Sequence, residues 1–275
     1  MFVYAENFQW IKMGKKNETQ QRILKLLRRS GELDVAETVA ALGMSEATVR
    51  RHFAELEAQG KLLRVFGGVR LPVANDGVYM FQSRSVSHLR EKRLIAKAAA
   101  ALIGNHERLF CDSGTTVLEF CSALAGRFSN GGLADLSVVT NSLVYSEELS
   151  QKCPVMLTGG VLRPARKDLS GLNALQNIER YNFTRAVLGA DGISPDGVLS
   201  TTDEDTSLLA SAALRRSRSA LILADSSKLG SSSFVEYASL EPEKFTLVTD
   251  SGADEQLVTK WRNRGINIII TENKL

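Results

Sequence analysis

Hydrophobic positions recur at two different spacings along this chain of 275 residues. Up to about residue 59 they recur every three to four residues, which is the periodicity of amphipathic helices. From about residue 91 onward, short apolar runs rich in Val, Ile and Leu alternate with helical patterns, which is typical of a largely parallel sheet covered on both faces. The pattern therefore predicts two domains of different fold class.

Three short helices are predicted before residue 60. Apolar residues recur at helical spacing between 18 and 29, between 35 and 42, and between 45 and 59. The first two runs stop at Gly31 and Gly43, as helices commonly end at a glycine. Two helices joined by a glycine-bearing turn are typical of a helix-turn-helix.

The third predicted helix has the surface of a DNA recognition helix. Ser45 is its predicted N-cap, and Val49, Phe53 and Leu56 fall at positions i, i+4 and i+7, so these three face inward. When such a helix enters the major groove, Arg forks onto guanine, and Ser or Thr reaches base edges or phosphates. The residues left outside are Ala47, Arg50, Arg51 and Ala54.

A basic hairpin is predicted immediately after this helix. Within residues 61–71, two β-rich runs flank Gly67-Gly68, which is a two-residue hairpin signal. Three helices followed by such a hairpin form a winged helix-turn-helix, and the alternative interpretation is a solvated basic helical subdomain. The predicted DNA-binding residues are Ser45, Thr48, Arg50, Arg51, Lys61, Arg64 and Arg70.

The second region predicts an α/β domain with a mostly parallel, Rossmann-like sheet. The predicted strands are 108–111, 136–140, 154–158, 185–189, 219–224, 245–249 and 266–271. Predicted helices between them include 91–103, 116–126, 142–151, 203–217 and 254–264. The predicted boundaries are 15–72 for the winged helix-turn-helix, 73–90 for a linker and 91–275 for the α/β domain, and residues 1–14 match no predicted element.

Polar residues follow five of the predicted strands. Each stretch alone is an ordinary turn, but in a parallel sheet the carboxyl ends of the strands meet at the edge where ligands bind. Together they offer hydroxyls for phosphate, carboxylates and an amide for sugar hydroxyls, and Lys228 and Arg163 for charge. This edge predicts a sugar-phosphate-like site. The stretches are 112–116, 140–142, 158–160, 189–192 and 224–228.

The first stretch, residues 112–116, has two interpretations. It leads into an amphipathic helix whose N-terminal N–H groups, together with Ser and Thr hydroxyls, suit an anion. Alternatively, Thr116 and Glu119 have the spacing of a capping box, in which Thr caps the helix and Glu reaches back to it. Beside four other polar strand ends the anion site is favoured. Both can coexist if Thr116 and Glu119 hold the helix start while Ser113, Gly114 and Thr115 face the ligand.

Charge and composition narrow the class of protein. Residues 1–72 hold 12 Lys and Arg against 8 Asp and Glu, whereas the remainder holds 22 against 23, so the basic surplus lies in the predicted DNA-binding region. Three cysteines without CxxC spacing indicate buried reduced thiols, and three scattered histidines show no metal-binding pattern, so no metal or cofactor is predicted. No apolar run reaches the ~18 residues of a membrane span, and the N-terminus lacks a signal-peptide pattern. We expect a cytoplasmic protein without a membrane partner.

The order of these motifs resembles the DeoR family of bacterial transcription regulators. The resemblance implies a C-terminal sensor domain that is similar in fold to ribose-5-phosphate isomerase and glucosamine-6-phosphate deaminase. It also implies a phosphorylated sugar as effector and repression of sugar-catabolism genes. Within about residues 15–250, the segments that carry it are TVRRHFAELEAQGKLLRVFGG, EKRLIAKAAAALI, LFCDSGTT, VVTNS, LTGGVLR, LGADGI and LILADSSKLG.

Carried over by position, the resemblance also implies which residues bind the effector. His52-Phe53 stands where members commonly carry Asp-Leu, a departure that we expect to change packing rather than base choice. Ala210 stands where many members carry Lys, which puts effector contacts from 203–210 in doubt. The implied effector-binding residues are Asp112, Ser113, Gly114, Thr115, Thr116, Asn141, Gly160, Asp191 and Lys228.

Three hypotheses about function follow. The first is a regulator without enzymatic activity, which binds double-stranded operator DNA as a homo-oligomer, dimer or tetramer, under control of the effector. The second is an isomerase- or deaminase-like enzyme that acts on a sugar phosphate, with Asp112, Asp191 and Asp225 as candidate carboxylates. The winged helix stands against it, because such an enzyme does not need one. The third is a binding module that has lost its response to effector.

Overall fold

The computed structural model describes residues 19–27, 30–58, 61–65, 67–70 and 81–272. Residues 1–14 and the first part of the predicted linker, 73–80, lie outside the described residues. The chain forms two compact units, Met1–Ser87 and His88–Leu275.

The N-terminal unit is a helix-turn-helix with a β-hairpin wing, as predicted. All three predicted helices and both strands of the hairpin are present. A short strand before the second helix and a helix within the predicted linker were not predicted. In chain order the elements are α1 (19–27), β1 (Glu32–Asp34), α2 (Val35–Leu42), α3 (Glu46–Ala58), β2 (Leu63–Val65), β3 (Gly68–Arg70) and α4 (Phe81–Val86).

Capping residues set the ends of the helix-turn-helix pair. Asp34 is the N-cap of α2 and accepts a hydrogen bond from the Ala36 N–H at 2.6 Å. Gly43 ends this helix in the left-handed region with φ of 65°. The predicted N-cap Ser45 accepts from the Thr48 N–H at 3.3 Å, which confirms the start of α3.

A separate hydrophobic core holds this unit together. Val49, Phe53 and Leu56 of α3 are buried in it, as the helical spacing predicted. His52, which stands where family members commonly carry Asp, is also buried, and its Nδ1 lies 3.7 Å from Glu55 Oε2. This substitution therefore lies on the packed side of the helix, as expected. Further members of the core are Ile23, Leu24, Leu27, Leu33, Val35, Leu62 and Val69.

The wing has a different register from the one that its two glycines predicted. Val65 pairs with Gly68, so the connecting residues are 66–67 and Gly68 belongs to the strand. Asp34 of β1 pairs with Gly68 on its other side, where a Cβ would lie 2.1 Å from the Leu33 carbonyl oxygen. Gly67 supplies the turn with φ of 83°, and Gly68 supplies the close strand approach.

The C-terminal unit is built on a seven-stranded parallel sheet, and all seven predicted strands are confirmed. Its spatial order is β15-β14-β12-β9-β4-β5-β6. The register is parallel between every neighbouring pair. The strands are β4 (Arg108–Cys111), β5 (Ser137–Thr140), β6 (Val155–Leu157), β9 (Phe183–Gly189), β12 (Ser217–Leu223), β14 (Phe245–Asp250) and β15 (Asn267–Thr271).

Helices cover both faces of this sheet because its side chains alternate between two cores. Phe110 and Ile222 face one core with Trp261, whereas Leu109 and Leu221 face the other. Cys111, Cys121 and Cys153 are all buried and free, as predicted. The helices are α5 (Leu89–Ala101), α6 (Thr115–Ser129), α7 (Ser146–Ser150), α8 (Leu172–Glu179), α9 (Glu204–Arg215) and α10 (Glu255–Asn263).

Two small antiparallel sheets and α8 were not predicted. The hairpin β7–β8 follows β6, and three further strands lie beside the carboxyl edge of the main sheet. The predicted helix 142–151 was too long, since the Ser142 N–H bonds Thr140 Oγ1 and α7 begins only at Ser146. The additional strands are β7 (Val161–Arg163), β8 (Asp168–Ser170), β10 (Gly192–Ile193), β11 (Val198–Thr201) and β13 (Val235–Ser239).

Candidate functional site

The exposed face of α3 carries the basic residues predicted for it. Ala47, Arg50, Arg51 and Ala54 are all exposed. Arg50 is held by Glu46 one turn earlier, with Nε 2.8 Å from Oε1. Arg51 makes no ion pair with any residue that the structure describes. Of these two arginines, Arg51 is therefore the more available for a phosphate or a base edge.

The hydroxyl groups at the start of α3 are already hydrogen-bonded to each other. Ser45 Oγ lies 2.9 Å from Thr48 Oγ1 while it also caps the Thr48 N–H. Each hydroxyl keeps a lone pair or proton for a further bond. Ser45 and Thr48 thus sit at a helix N-terminus, which favours contact with a phosphate oxygen.

The wing presents three basic side chains, and one of them is partly neutralised. Lys61, Arg64 and Arg70 are exposed. Glu57 accepts from the Arg64 N–H at 3.0 Å and lies 4.0 Å from its guanidinium. Within the described part of the chain, Lys61 and Arg70 form no ion pair. These two side chains are the more available positive charges of the wing.

In the C-terminal unit, Asp112 joins the ends of two neighbouring strands. Its Oδ1 accepts from the Gly114 N–H at 2.7 Å, and its Oδ2 accepts from the Gly189 N–H at 2.8 Å. Burial raises the pKa of this carboxyl from 3.8 to about 6, with a smaller contribution from the carboxylates of Asp191 and Asp168, while the two backbone bonds oppose the rise. Asp112 therefore braces β4 against β9.

Among the described residues, the start of α6 has unpaired backbone N–H donors and no capping box. The N-cap is Gly114, without a side-chain capping bond, and Thr116 lies inside the helix. Glu119 accepts from Arg93 Nε at 3.1 Å instead of reaching back, so the predicted capping box is wrong. No described residue supplies an acceptor to the N–H groups of residues 115–117. These three donors and the positive end of the helix dipole point the same way.

Ser113 and Asn141 meet at the ends of β4 and β5, as predicted for neighbouring strands. Ser113 Oγ donates to Asp168 Oδ2 at 2.8 Å, and Asn141 Nδ2 lies 3.4 Å from Ser113 Oγ. Asn141 Nδ2 also donates to the Leu169 carbonyl at 3.3 Å. Asn141 Oδ1 is buried without a hydrogen-bond partner in the described structure. That oxygen is an acceptor available to a ligand hydroxyl.

A buried ion-pair cluster beside Ser113 was not predicted. Asp168 is completely buried, and Arg163 donates two hydrogen bonds to its carboxylate, at 2.7 and 2.8 Å. Arg163 and Arg166 also reach Asp203, at 2.7 and 3.0 Å. Burial alone would lower the pKa of Arg163, but the bonds to the two carboxylates raise it overall. Arg163, expected to offer charge to a ligand, is thus neutralised by protein carboxylates.

Gly160 has a structural reason to be glycine. Its φ is 106°, and a Cβ there would lie 2.3 Å from the Ser170 carbonyl oxygen. The residue therefore lets β7 and β8 approach each other closely. Ala210, which stands where many members carry Lys, is buried in the core.

Asp191 and Lys228 follow β9 and β12, which lie on the other side of β4 from Asn141. Asp191 Oδ2 accepts from Thr201 Oγ1 at 3.1 Å and from the Thr202 N–H at 3.2 Å. Lys228 is half-buried in the turn Ser226–Lys228 after β12 and forms no ion pair with described residues. β12 is two strands from β4 in the sheet, so the strand end that precedes Lys228 lies about 10 Å from the end of β4.

Two buried tyrosines hold the strand ends and were not predicted. The Tyr145 hydroxyl contacts the Cys111 and Asp112 carbonyl oxygens and lies 3.0 Å from Thr140 Oγ1. The Tyr237 hydroxyl donates to the Gly189 carbonyl at 2.8 Å. Burial raises the pKa of both phenols well above the usual value, so both stay neutral donors. The edge is therefore rigidly braced from both sides.

Neither a metal centre nor a membrane span is found in the described part of the chain. No group of three His, Cys, Asp or Glu side chains there is arranged to hold a metal ion. The described helices are all too short or too polar to cross a bilayer.

The chain is similar over most of its length to curated transcription regulators. It is 33% identical to the HTH-type transcriptional regulator GlpR of Haloferax volcanii, covering 92% of this chain and 96% of that protein. It is 29% identical to the HTH-type transcriptional repressor GlcR of Bacillus subtilis, covering 91% and 94%. It is 31% identical to the lactose phosphotransferase system repressor of Streptococcus mutans, covering 88% and 95%.

Among solved structures, the ribose 5-phosphate isomerase A of Methanocaldococcus jannaschii is 18% identical, with a TM-score of 0.38 over 50% of this chain and 53% of that one. Residues 20–74 match the DeoR-like helix-turn-helix domain, and residues 87–251 match the DeoR C terminal sensor domain. The chain belongs to the DeoR family of transcriptional regulators.

Proposed function

We propose that this regulator represses genes of sugar metabolism and that a phosphorylated sugar, bound at the carboxyl edge of the parallel sheet, controls its affinity for operator DNA. The observation that carries the effector class is the open start of α6, where three backbone N–H groups have no acceptor among the described residues. A phosphate oxygen is the acceptor that such a helix start favours. The relatives named as sugar-system repressors support the same function.

The rest of the edge suits the sugar attached to that phosphate. The free acceptor of Asn141 and the carboxylate of Asp191 can receive hydroxyl protons. Lys228, in the turn that follows β12, can contact the other end of the molecule. The proposed effector residues thus divide into a phosphate end, Ser113 to Thr116, and a sugar end.

The ion-pair cluster offers a route from effector to conformational change. The Ser113 hydroxyl has one proton and uses it in a hydrogen bond to Asp168. If a phosphate oxygen accepts that hydrogen bond instead, the β7–β8 hairpin loses its bond to Ser113. The same hairpin is tied to the start of α9 through Arg163 and Asp203. A coupling of ~1 to 3 kcal/mol between effector and DNA would change operator affinity about 5- to 150-fold.

On the DNA side, the exposed residues of α3 and the wing support operator binding as a homo-oligomer. Recognition helices read half-sites one helical turn apart when two copies are related by symmetry. A protein that acts on operator DNA would work in the cytoplasm. The proposed contacts are Ser45, Thr48, Arg50, Arg51, Lys61, Arg64 and Arg70.

The sugar-phosphate isomerase or deaminase alternative is less well supported. A general base needs a carboxylate oxygen that faces the substrate proton. Both oxygens of Asp112 already accept backbone bonds, Asp191 Oδ2 accepts from Thr201 and Thr202, and Asp225 caps the turn after β12 through the Ser227 N–H. We therefore propose a binding role and no catalysis for this edge.

A thermal-shift panel tests the effector. Full-length protein is heated with phosphorylated sugars and with the same sugars lacking phosphate. At about 100 times the Kd, an effector should raise Tm by roughly 5 to 10 °C. Lys228→Ala and Thr115→Val should reduce that shift, because they remove a charge and a hydroxyl from the two ends of the site. Lys152→Ala, at an exposed lysine after α7, should leave it unchanged.

Stabilisation by the sugars without phosphate, or equal shifts in all three variants, would contradict a phosphate-binding edge. Turnover of a sugar phosphate by the purified protein at enzyme-like rates would contradict the absence of catalysis.

A further inference from the structure

A cavity lies at the amino-terminal edge of the parallel sheet, opposite the proposed effector site. It measures about 420 Å³ and lies where β4, β9 and β12 begin and α9 ends. Ligands of parallel sheets normally bind at the carboxyl edge, so the proposed effector site does not account for this cavity. Its polar lining, called the arginine groove below, consists of Arg108, Asn182, Arg215, Arg216, Ser217 and Arg218.

Two of the four guanidinium groups are fixed in place by the protein. Arg216 donates from Nε to the Tyr181 carbonyl at 2.7 Å and from Nη2 to Asn182 Oδ1 at 2.6 Å. Arg215 donates from Nη2 to Glu179 Oε1 at 3.1 Å. Fixed donors lose little conformational entropy when an anion binds, which favours affinity.

The other two guanidinium groups, like that of Arg216, lack a counter-charge among the described residues. Arg108 opens β4 and Arg218 is the second residue of β12; both are exposed and make no ion pair within the described structure. By strand alternation they lie on the same face as Phe110 and Ala220, above which α9 ends. Glu179 thus offsets one of four positive charges around the cavity. Like charges gathered in this way repel one another unless an anion joins them.

We propose that the arginine groove binds a small anion with more than one phosphate group, of which diphosphate is the simplest. The planar guanidinium group matches phosphate oxygens in pairs, and a phosphate chain can satisfy arginines that come from three separate elements. The cavity volume lies in the range of small-molecule sites. Its concave form favours such an anion over duplex DNA, whose surface is convex.

Isothermal titration of the full-length protein with diphosphate tests this site. The double variant Arg108→Gln/Arg218→Gln should weaken binding at least tenfold, because it removes two of the three charges that no carboxylate offsets. The matched control Arg90→Gln/Lys97→Gln removes two positive charges from exposed positions on α5 and should stay within twofold of the wild type. Lys228→Ala, in the proposed effector site, should leave one diphosphate bound with unchanged affinity. Circular dichroism and Tm check that each variant is folded.

Four results would overturn the assignment. The wild type could fail to bind diphosphate, or Arg108→Gln/Arg218→Gln could bind it as well as the wild type does. The control on α5 could lose as much affinity, which would indicate a general charge effect. The groove variant could instead lose affinity for random-sequence duplex DNA while keeping diphosphate, which would make the groove a DNA contact.

Discussion

At the scale of single residues, the buried carboxyl of Asp112 predicts a specific pH dependence of stability. Its pKa is about 6 in the folded protein against 3.8 for the free group. Because the folded value is raised, the contribution of this group to the free energy of unfolding is complete below pH 4, and it falls as pH rises to about 6. The whole loss is at most about 3 kcal/mol.

Asp112→Asn isolates this contribution, because Asn does not titrate. Urea unfolding of both proteins from pH 4 to pH 8 should show that the wild type loses about 1 to 3 kcal/mol relative to the variant as pH rises. A stability difference that stays constant with pH would show that Asp112 does not titrate in this range. The absolute stability of the variant is also expected to be lower, since an amide cannot accept from both Gly114 and Gly189.

The same scale shows which site residues a sequence can reveal. Ser113 and Asn141 follow apolar strands directly, so parallel-sheet geometry places them together from the sequence alone. Asp168 and Tyr145 give no such signal, because each acts through a partner far along the chain. Arg163 was assigned to the ligand for its charge, yet its carboxylate partners Asp168 and Asp203 become visible only when the hairpin folds back.

At the scale of elements, Gly68 of the wing predicts a strong effect of a single methyl group. Gly68→Ala places a Cβ 2.1 Å from the Leu33 carbonyl oxygen, so β1 and β3 cannot stay paired. We expect the free energy of unfolding to fall by several kcal/mol, or the N-terminal unit to unfold separately, together with at least tenfold weaker DNA binding.

The control Gly126→Ala lies inside α6 with nothing within 4 Å of its Cβ, and it should stabilise the protein by about 0.5 to 1 kcal/mol. Differential scanning calorimetry and DNA titration measure both, and full DNA affinity in Gly68→Ala would contradict the close approach.

At the scale of elements, the strands between the two cores of the main sheet were predictable, whereas strands that depend on pairing at its edge were not. The parallel strands are short runs buried on both faces, so their apolar character marks them without knowledge of partners. The strands β7, β8 and β10 have only two or three residues, and they exist because of pairing across the edge. The capping box failed for a related reason. Asp112 reaches the Gly114 N–H and moves the helix start to Thr115, so Thr116 lies too late to cap it.

At the scale of the whole molecule, the surplus of positive charge lies in the N-terminal part of the chain. The N-terminal unit carries basic residues on α3 and the wing, and the C-terminal unit carries two separate places that suit phosphate chemistry. Sequence periodicity predicted both folds because each unit has a core of its own. It could not predict the arginine groove, whose four arginines come from three elements that meet only in the folded sheet.

The salt dependence of DNA binding should distinguish the basic residues of the N-terminal unit that have an ion-pair partner from those that have none in the described structure. Each phosphate contact contributes about 0.9 to the slope of log K against log salt. Arg51→Ala and Lys61→Ala should therefore each reduce the slope by about 1 per bound protomer, since neither side chain has an ion-pair partner in the described structure. Arg50→Ala and Arg64→Ala should reduce the slope less, because Glu46 and Glu57 already offset those charges.

Fluorescence anisotropy with a random-sequence duplex from 50 to 200 mM salt measures the slopes, with Lys97→Ala on α5 as a control that should leave the slope unchanged. Equal slopes for the wild type and all four variants would mean that α3 and the wing do not contact the DNA backbone.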